Sequence, residues 1–323
     1  MKQYKYIQIL ILSFSVALAG SVGAQSWPAK PVRVVVPFAP GGGTDIQGRI
    51  LGRKFFESMG QTFVIENRTG ASGLIGAEVV ARSAPDGYNI LFTTASLSVN
   101  VSLYKKIAFD PVKDLAPVSW ISSVPLVLVV HPSVPVKSAR DLIALAKKQK
   151  GKMNAAHNGA GTTSHLSIEM LKQFAGVDVT PVPYKGGGPA IASVLSGETD
   201  FAFATALAAQ PHVKSGRVRP LAVTTAKPSG AFPGLPTMLS IYPGFESDNW
   251  YAMFLPAGTP REIVARLNAE IVKALKADDV RGFIVKEGGD PVGSTPEELA
   301  AYFRREVEKY AKIIKAGNIR IQE

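Results

Sequence analysis

The segments Val36-Pro37-Phe38-Ala39-Pro40-Gly41-Gly42-Gly43-Thr44-Asp45 and Val182-Pro183-Tyr184-Lys185-Gly186-Gly187-Gly188-Pro189 follow one pattern. Each carries an apolar run, a proline, an aromatic residue, a glycine-rich turn and the start of a helix. A third, related loop is Asn158-Gly159-Ala160-Gly161-Thr162-Thr163-Ser164. Glycines beyond the end of a strand let backbone N–H groups approach a ligand closely. The first turn of the following helix adds unpaired N–H groups and a partial positive charge. Such an end holds an anion without arginine or lysine, and a carboxylate suits it as well as a phosphate. Two or three of these ends, drawn from both halves of the chain, can converge on one small anion, with Phe38 and Tyr184 as apolar walls. Any one such loop also serves plain turn geometry; the matched pair is what favours a ligand cleft. Phosphate-specific patterns are missing. Gly41 to Asp45 lacks the lysine of a P-loop, and Gly159 to Ser164 lacks the third glycine of a dinucleotide fingerprint.

Single side chains near these loops keep two readings each. Asp45 is either a first-turn carboxylate favoured by the helix dipole or an acceptor for a ligand amine or hydroxyl. Lys185 is a solvated loop lysine or a direct carboxylate contact. His157 and His165 flank the third loop, where a base, a metal ligand, a polar wall and a surface residue are all open. Trp250 and Tyr251 either cover a ligand or, more simply, are buried hinge-side aromatics. No Gly-x-Ser-x-Gly elbow and no His-Glu-x-x-His motif occurs, so a nucleophile or zinc site has no sequence support.

The elements that must position these loops alternate. Strand-like runs are predicted at 32–36, 63–66, 89–94, 126–130, 154–157, 179–184, 201–203 and 221–224. Helices are predicted at 44–59, 74–81, 138–150, 164–174 and from 189. Thr44 with Gln47 reads as a capping box, as do Thr259-Pro260-Arg261-Glu262 and Thr295-Pro296-Glu297-Glu298. Alternation of this kind specifies an α/β protein. At 46% hydrophobic and 19% charged the chain is globular, and 323 residues suit two domains. Cysteine is absent, which excludes disulfides, cysteine-ligated metal, thiol catalysis and a cysteine-borne lipid.

The first 24 residues read as a secretory signal peptide: Lys2 and Lys5, an apolar run from Ile7 to Ala19, then Val22-Gly23-Ala24. That run, interrupted by Gln8, Ser13 and Ser15, falls short of the roughly 20 apolar residues of a membrane span. A periplasmic location is therefore expected, free of any lipid anchor, with nucleic acid and ATP excluded as partners. The formal charge of +11 falls only by the two leader lysines, so it belongs to the secreted protein. It is expected to steer anions rather than to recognise them.

Taken in order, further motifs carry a family resemblance. They are Trp27-Pro28-x-Lys30-Pro31, Glu66-Asn67-Arg68, Gly70-Ala71-Ser72-Gly73, Pro85-Asp86-Gly87-Tyr88, Ser164-His165-Leu166, Leu221-Ala222-Val223-Thr224 and Pro256-Ala257-Gly258-Thr259-Pro260. With the glycine loops, they make the chain resemble the extracytoplasmic solute receptors of tripartite tricarboxylate transporters, the Bug receptors, over essentially its whole mature length. The resemblance implies a two-lobed periplasmic binding protein of the Venus flytrap, type II-like kind, each lobe a sheet flanked by helices. Lobe one is expected at 25–124 plus 247–323 and lobe two at 125–246, with the cleft between them. It implies a monomeric receptor without cofactor, metal or catalysis, which passes a small carboxylate to a membrane permease. The contacts it implies are Phe38, Ala39, Gly42, Gly43, Thr44 and Asp45 in the first loop; Gly161, Thr162 and Ser164 in the third; and Tyr184, Lys185 and Gly186 in the second. Thr94, Ser96 and Thr205 follow from strand ends. The run Ala204-Thr205-Ala206 lacks the Asp or Asn common in relatives, which makes the wall there more apolar. Two other roles use the same binding event or the same cleft: a ligand-sensing subunit of a signalling system, and a secreted enzyme.

Overall fold

The structure, a computed structural model, describes residues 27–104 and 106–319. The expected signal peptide lies outside the described residues. The β-branched run Val32–Val36 forms β1, and helix α1 (Gly43–Met59) carries the chain back to β2 (Phe63–Asn67). A short 3₁₀ turn (Ala71–Gly73) and α2 (Leu74–Ala81) lead to β3 (Asn89–Thr94). Strands β2, β1 and β3 lie parallel in that order. Helix α3 (Ser96–Leu103) then feeds a long strand, β4 (Leu115–Val130).

A second sheet repeats the theme. It follows α4 (Ala139–Gln149) with β5 (Asn154–His157), α5 (Thr163–Ala175), β6 (Thr180–Pro183), α6 (Gly187–Ser196), β7 (Phe201–Thr205), α7 (Ala206–Lys214) and β8 (Arg219–Val223). After the short helix α8 (Met238–Ile241) the chain returns to the first sheet as β9 (Asp248–Pro256). Helices α9 (Arg261–Ala274) and α10 (Asp278–Lys286), strand β10 (Asp290–Pro291) and helix α11 (Pro296–Ala316) finish the fold. The strand path is β2-β1-β3-β9-β4-β7-β5-β6, a curled mixed sheet flanked by helices.

Strand β4 belongs to both halves. From Leu115 to Pro125 it pairs antiparallel with β9; from Leu126 to Val130 it pairs with β7, and β8 joins its other edge. The sequence reading placed a strand only at 126–130, because Ala116-Pro117 and Trp120-Ile121-Ser122-Ser123 break the apolar run. Bulges near Pro117 and Trp120 absorb those residues. The handover between partners sits at Pro125, which has no N–H to give to a ladder. One residue on, the Leu126 N–H donates to Thr224 Oγ1 at 3.1 Å, and Thr224 Oγ1 lies 2.5 Å from the Ser247 carbonyl. Both passages of the chain between the sheets are thus tied at one buried threonine.

Helices α3 and α11 also reach both halves. Leu299, Tyr302 and Phe303 pack in one cluster with Trp250 and Phe254, while Tyr310, Ile313 and Ile314 pack with Leu128, Phe203 and Phe245. Leu97 lies in the first of these clusters, and Val99 and Leu103 in the second. The capping box at Thr295 and Glu298 is present. The other two expected boxes are not. Thr259 Oγ1 donates to the Pro256 carbonyl and leaves Pro260 as cap, and α1 begins one residue before Thr44 with Gly42 as cap.

Two outcomes test this junction. Thr224→Val leaves the buried Leu126 N–H and the Ser247 carbonyl without their partner, and is expected to cost about 1–3 kcal/mol, read from the urea midpoint. Asp248, where β9 begins, accepts from Ser123 Oγ at 2.6 Å, but its Oδ1 is buried without a partner. Burial, helped by Glu246 and Glu306, pushes this carboxyl up to about 7. The folded state then holds a proton that the unfolded chain releases near pH 4. The associated stability is complete below that value and is lost as pH rises through 7. Asp248→Asn is expected to flatten the fall in urea midpoint between pH 5 and pH 8.

Candidate functional site

The first glycine loop leaves β1 at a buried Pro37. Asn67 Nδ2 donates to the Phe38 carbonyl at 2.9 Å, and the Phe38 ring lies over the Gly73 turn. Gly41, at φ +81°, turns the chain so that its N–H donates to Asp45 Oδ2 at 3.0 Å. Asp45 also takes two hydrogen bonds from the Arg49 guanidinium, at 2.8 and 3.0 Å. Arg49 above all, with the Gly41 N–H adding to it, holds this carboxyl below its usual range. Asp45 is thus a first-turn carboxylate of α1, whose contacts with Gly41 and Arg49 brace the turn. Ala39 and Gly42 are exposed, Gly43 is half-buried and Thr44 is buried. Gly42 caps α1 without any side-chain hydrogen bond, so the first-turn N–H groups keep their donor capacity. Gln47, expected to cap, instead donates from Nε2 to Ser122 Oγ at 3.1 Å.

The second and third loops are bound to each other: the Gly186 N–H donates to the Asn158 carbonyl at 3.2 Å. Gly186, at φ +104°, caps α6, again without a side chain. The third loop is capped differently. Thr162 Oγ1 accepts from the His165 N–H at 3.3 Å and donates to the Gly159 carbonyl at 2.7 Å. Ser164 Oγ donates to the Phe203 carbonyl at 2.8 Å, and the Ser96 N–H donates to Thr94 Oγ1 at 3.4 Å; all three of these side chains are buried. Tyr184 turns its hydroxyl outward to Glu198 at 2.9 Å, and Lys185 is exposed.

His157 and His165 stack with ring centroids 4.5 Å apart. Burial first, then the charge of His165 on His157 and of Lys172 on His165, pushes both down to about 4. Each uses Nδ1 to accept a loop N–H, from Gly159 and Gly161 respectively. Both rings are therefore neutral at pH 7 and hold the third loop in shape. Among the described residues no group of three or more His, Asp or Glu is placed to hold a metal ion.

Contacts between the sheets bring the loops to one place. Ser72 Oγ donates to the Ala160 carbonyl at 3.1 Å, and Asn100 Nδ2 donates to the Ser72 carbonyl at 2.8 Å. Ala71 and Ser72 hold φ values of +45° and +51°, a strained turn for residues with side chains. A Cβ on Gly161 would sit 2.5 Å from Asn100 Oδ1. Around the first loop, a Cβ on Gly43 would sit 2.7 Å from Glu287 Oε1 and 2.9 Å from the Tyr251 hydroxyl. Gly288, next to Glu287, packs against Ala206, the residue after Thr205; Thr205 Oγ1 in turn lies 3.7 Å from the Cβ position of Gly187. The uncapped ends of α1 and α6 thus flank one stretch of packed chain.

Four buried side-chain oxygens in this region have no partner: Gln47 Oε1, Asn100 Oδ1, Asn158 Oδ1 and Glu287 Oε2. Of the residues around the site, Asn100 and Glu287 are not singled out by the sequence, and Ser72 and Asn158 enter it only as members of motifs, with no role of their own. The glycine pair after Glu287 was the one signal that pointed to a close approach there. Trp250 is fully buried, edge-on to Tyr302 and Phe303, as the hinge-side reading of that residue expected.

Glycine-bounded helix ends at the carboxyl ends of two sheets that share a strand define the periplasmic binding protein fold. Within that class, the chain belongs to the tripartite tricarboxylate transporter family receptors, TctC, whose family model matches residues 48–319. It is 36% identical over 308 residues to Protein BugT of Bordetella pertussis, covering 94% of each chain. Its fold is similar to that of Rpa4515 from R. palustris, solved with adipate (TM-score 0.81, 36% identity, 91% of this chain and 99% of that one). It is also similar to MatC from Rhodopseudomonas palustris with bound malate (TM-score 0.78, 32% identity, 89% of this chain and 100% of that one).

Gly161→Ala tests the contact between the sheets. The left-handed backbone at φ +73° and the Asn100 Oδ1 contact both oppose a methyl group. The variant is expected to lose about 1–3 kcal/mol of stability by urea titration, and Asn100→Ala in the same chain is expected to restore part of it.

Proposed function

We propose that this protein is an extracytoplasmic solute receptor that binds one small carboxylate in the cleft between its two sheets and presents it to a membrane permease of a tripartite transporter. The observation that carries the reading is the pair of helix ends, α1 at Gly42-Gly43 and α6 at Gly186-Gly187, each without a side-chain cap. Their free N–H groups and dipoles favour a negative charge, and no arginine or lysine is buried beside them to favour a phosphate. Relatives of the same fold that were solved with adipate and malate support a dicarboxylate. The proposed ligand set is that of the three loops and strand ends: Phe38, Ala39, Gly42, Gly43, Thr44 and Asp45; Gly161, Thr162 and Ser164; Tyr184, Lys185 and Gly186; and Thr94, Ser96 and Thr205. In it Gly43 and Thr44 give backbone donors and Gly186 bounds the uncapped first turn of α6, its own N–H being taken by the Asn158 carbonyl, while Thr162 and Ser164 shape the loop.

Membership of a receptor family supports binding without turnover, and in this reading the two stacked imidazoles, whose Nδ1 atoms accept loop N–H groups, are structural. Lobe one is 25–124 plus 247–323 and lobe two is 125–246. The hinge lies at Pro125 and at 224–248, and contacts made to both sheets at once drive closure. The mature chain works as a monomer in the periplasm after loss of residues 1–24, and no helix of the described residues is long and apolar enough to cross a membrane.

Thermal unfolding against adipate, malate, succinate, citrate, benzoate and glutamate tests the reading. A true ligand stabilises by about 2.7 kcal/mol at a hundredfold excess over Kd, which appears as a dose-dependent rise in Tm. Gly43→Val drives its side chain into Glu287 and Tyr251 and is expected to abolish that rise. Its unliganded circular dichroism spectrum reports whether the fold survives. No response to any carboxylate would overturn the assignment.

A further inference from the structure

Glu287 is an acid in a place where an anion receptor has no obvious use for one. It ends α10, its side chain is 3% exposed, and Oε2 has no partner. Its Oε1 lies against Gly43, at the uncapped end of α1, beside the Tyr251 hydroxyl. The next residue, Gly288, touches Ala206 and Ala231 of the second sheet's side, so Glu287 stands between the two halves. The groups around it leave it uncompensated. Asp45 and Arg49 of α1 are paired with each other, and Lys286 on its own helix is exposed. From β9 it faces the Tyr251 phenol, which accepts from Asn249 Nδ2 at 3.3 Å and is held in its protonated form by burial. From α7 the contact of this segment is the Ala206 methyl, against Gly288.

We propose that Glu287 is a specificity-determining ligand contact: the receptor binds its carboxylate together with one proton, shared between the ligand and Glu287. This deepens the carboxylate reading and rests on it. A ligand carboxylate at the α1 end comes within contact range of Glu287, and two carboxylates so placed in a site shielded from water cannot both be ionised. A proton from solvent on either oxygen turns repulsion into a charge-assisted hydrogen bond. Burial already pushes Glu287 up to about 7 in the free protein, and a second carboxylate raises it further. Proton uptake on binding therefore grows as pH rises through 7 and is small at pH 6. A ligand ammonium is the other chemistry that would satisfy an unpaired buried carboxylate. The α1 end beside it repels a cation, which favours the shared proton.

The test is calorimetric titration with whichever of adipate, malate or succinate binds most tightly. On the parent protein, affinity is expected to hold between pH 6 and 7 and to fall up to about tenfold per pH unit above it. At pH 8 the heat is expected to differ between HEPES and Tris, whose ionisation enthalpies differ, by an amount corresponding to as much as one proton taken up. In Glu287→Gln, whose amide donates at any pH, the profile is expected to be flat and the affinity at pH 8.5 higher than that of the parent. A parent affinity independent of pH, with equal heats in both buffers, would overturn the shared proton while leaving the carboxylate receptor intact. Tighter binding of glutamate than of all three dicarboxylates, lost in Glu287→Gln, would overturn it in favour of an ammonium. Absence of binding by every probe would overturn the receptor reading and this inference together.

Discussion

A strand that serves two sheets can exchange its partners only where the hydrogen-bond ladder can be interrupted at little cost. In β4 that place is Pro125. It pairs in register with Asp248, the first residue of β9, and the next residue, Leu126, pairs with Thr205, the last of β7. Proline brings no N–H to the ladder, so no donor is stranded at the changeover. The first donor beyond it, Leu126 N–H, is taken by the Thr224 hydroxyl rather than by a strand. The direction in which β4 enters the second sheet sets where β5, β6 and β7 end, and with them the second and third glycine loops. A cleft whose two walls hang from one strand depends on that changeover.

Charge is distributed against the simple expectation for a basic protein that holds an anion. Much of the net positive charge lies at outer positions, such as Lys147, Lys148 and Lys150, all exposed. Around the loops the Asp45–Arg49 pair is internally compensated and Lys185 is exposed; the buried side chains there include hydroxyls, amides, a neutral imidazole and one unpaired acid, and on the proposed reading recognition falls to backbone N–H groups. A glycine cap leaves those groups free, whereas the Thr162 hydroxyl occupies one on α5. The chain thus separates long-range attraction, which salt screens within about 10 Å, from short-range recognition, which it does not.

What was legible in the sequence is local chemistry repeated twice. The β-branched runs at 32–36 and 126–130, the glycine loops and the Thr295 capping box could be read because each needs only its own residues. Strand β9 and helices α3, α7 and α10 were missed for a different reason. Helix α3 is Ser-Leu-Ser-Val-Asn-Val-Ser-Leu, buried almost all round, so it has no polar face to give a helical period. Helix α7 carries Pro211 inside it, and β9 is buried along nearly its whole length and shows no alternation. Their form is imposed by packing. The same holds for Gln47 and Asp45, which look like caps or ligand acceptors in isolation and are claimed by Ser122 and Arg49 once the chain is folded.

The least legible residue is Glu287, because nothing local distinguishes it from any surface glutamate at the end of a charged helix. Its meaning comes from Gly288 and Gly289. The backbone at 288 takes a positive φ of +76°, and the Cβ positions of the two glycines are filled by Ala206 and Ala231 and by the Ser123 carbonyl and Val124. Side chains at 288 and 289 would push this segment out of the junction and let Glu287 reach water. With glycines there, the acid is pressed between the first loop and the start of α7. Its burial is therefore a consequence of how closely the two sheets approach, and on the shared-proton proposal the ionisation of Glu287 is coupled to that approach. Whatever opens the cleft hydrates this carboxylate and lowers its proton affinity, and whatever protonates or neutralises it favours the closed approach.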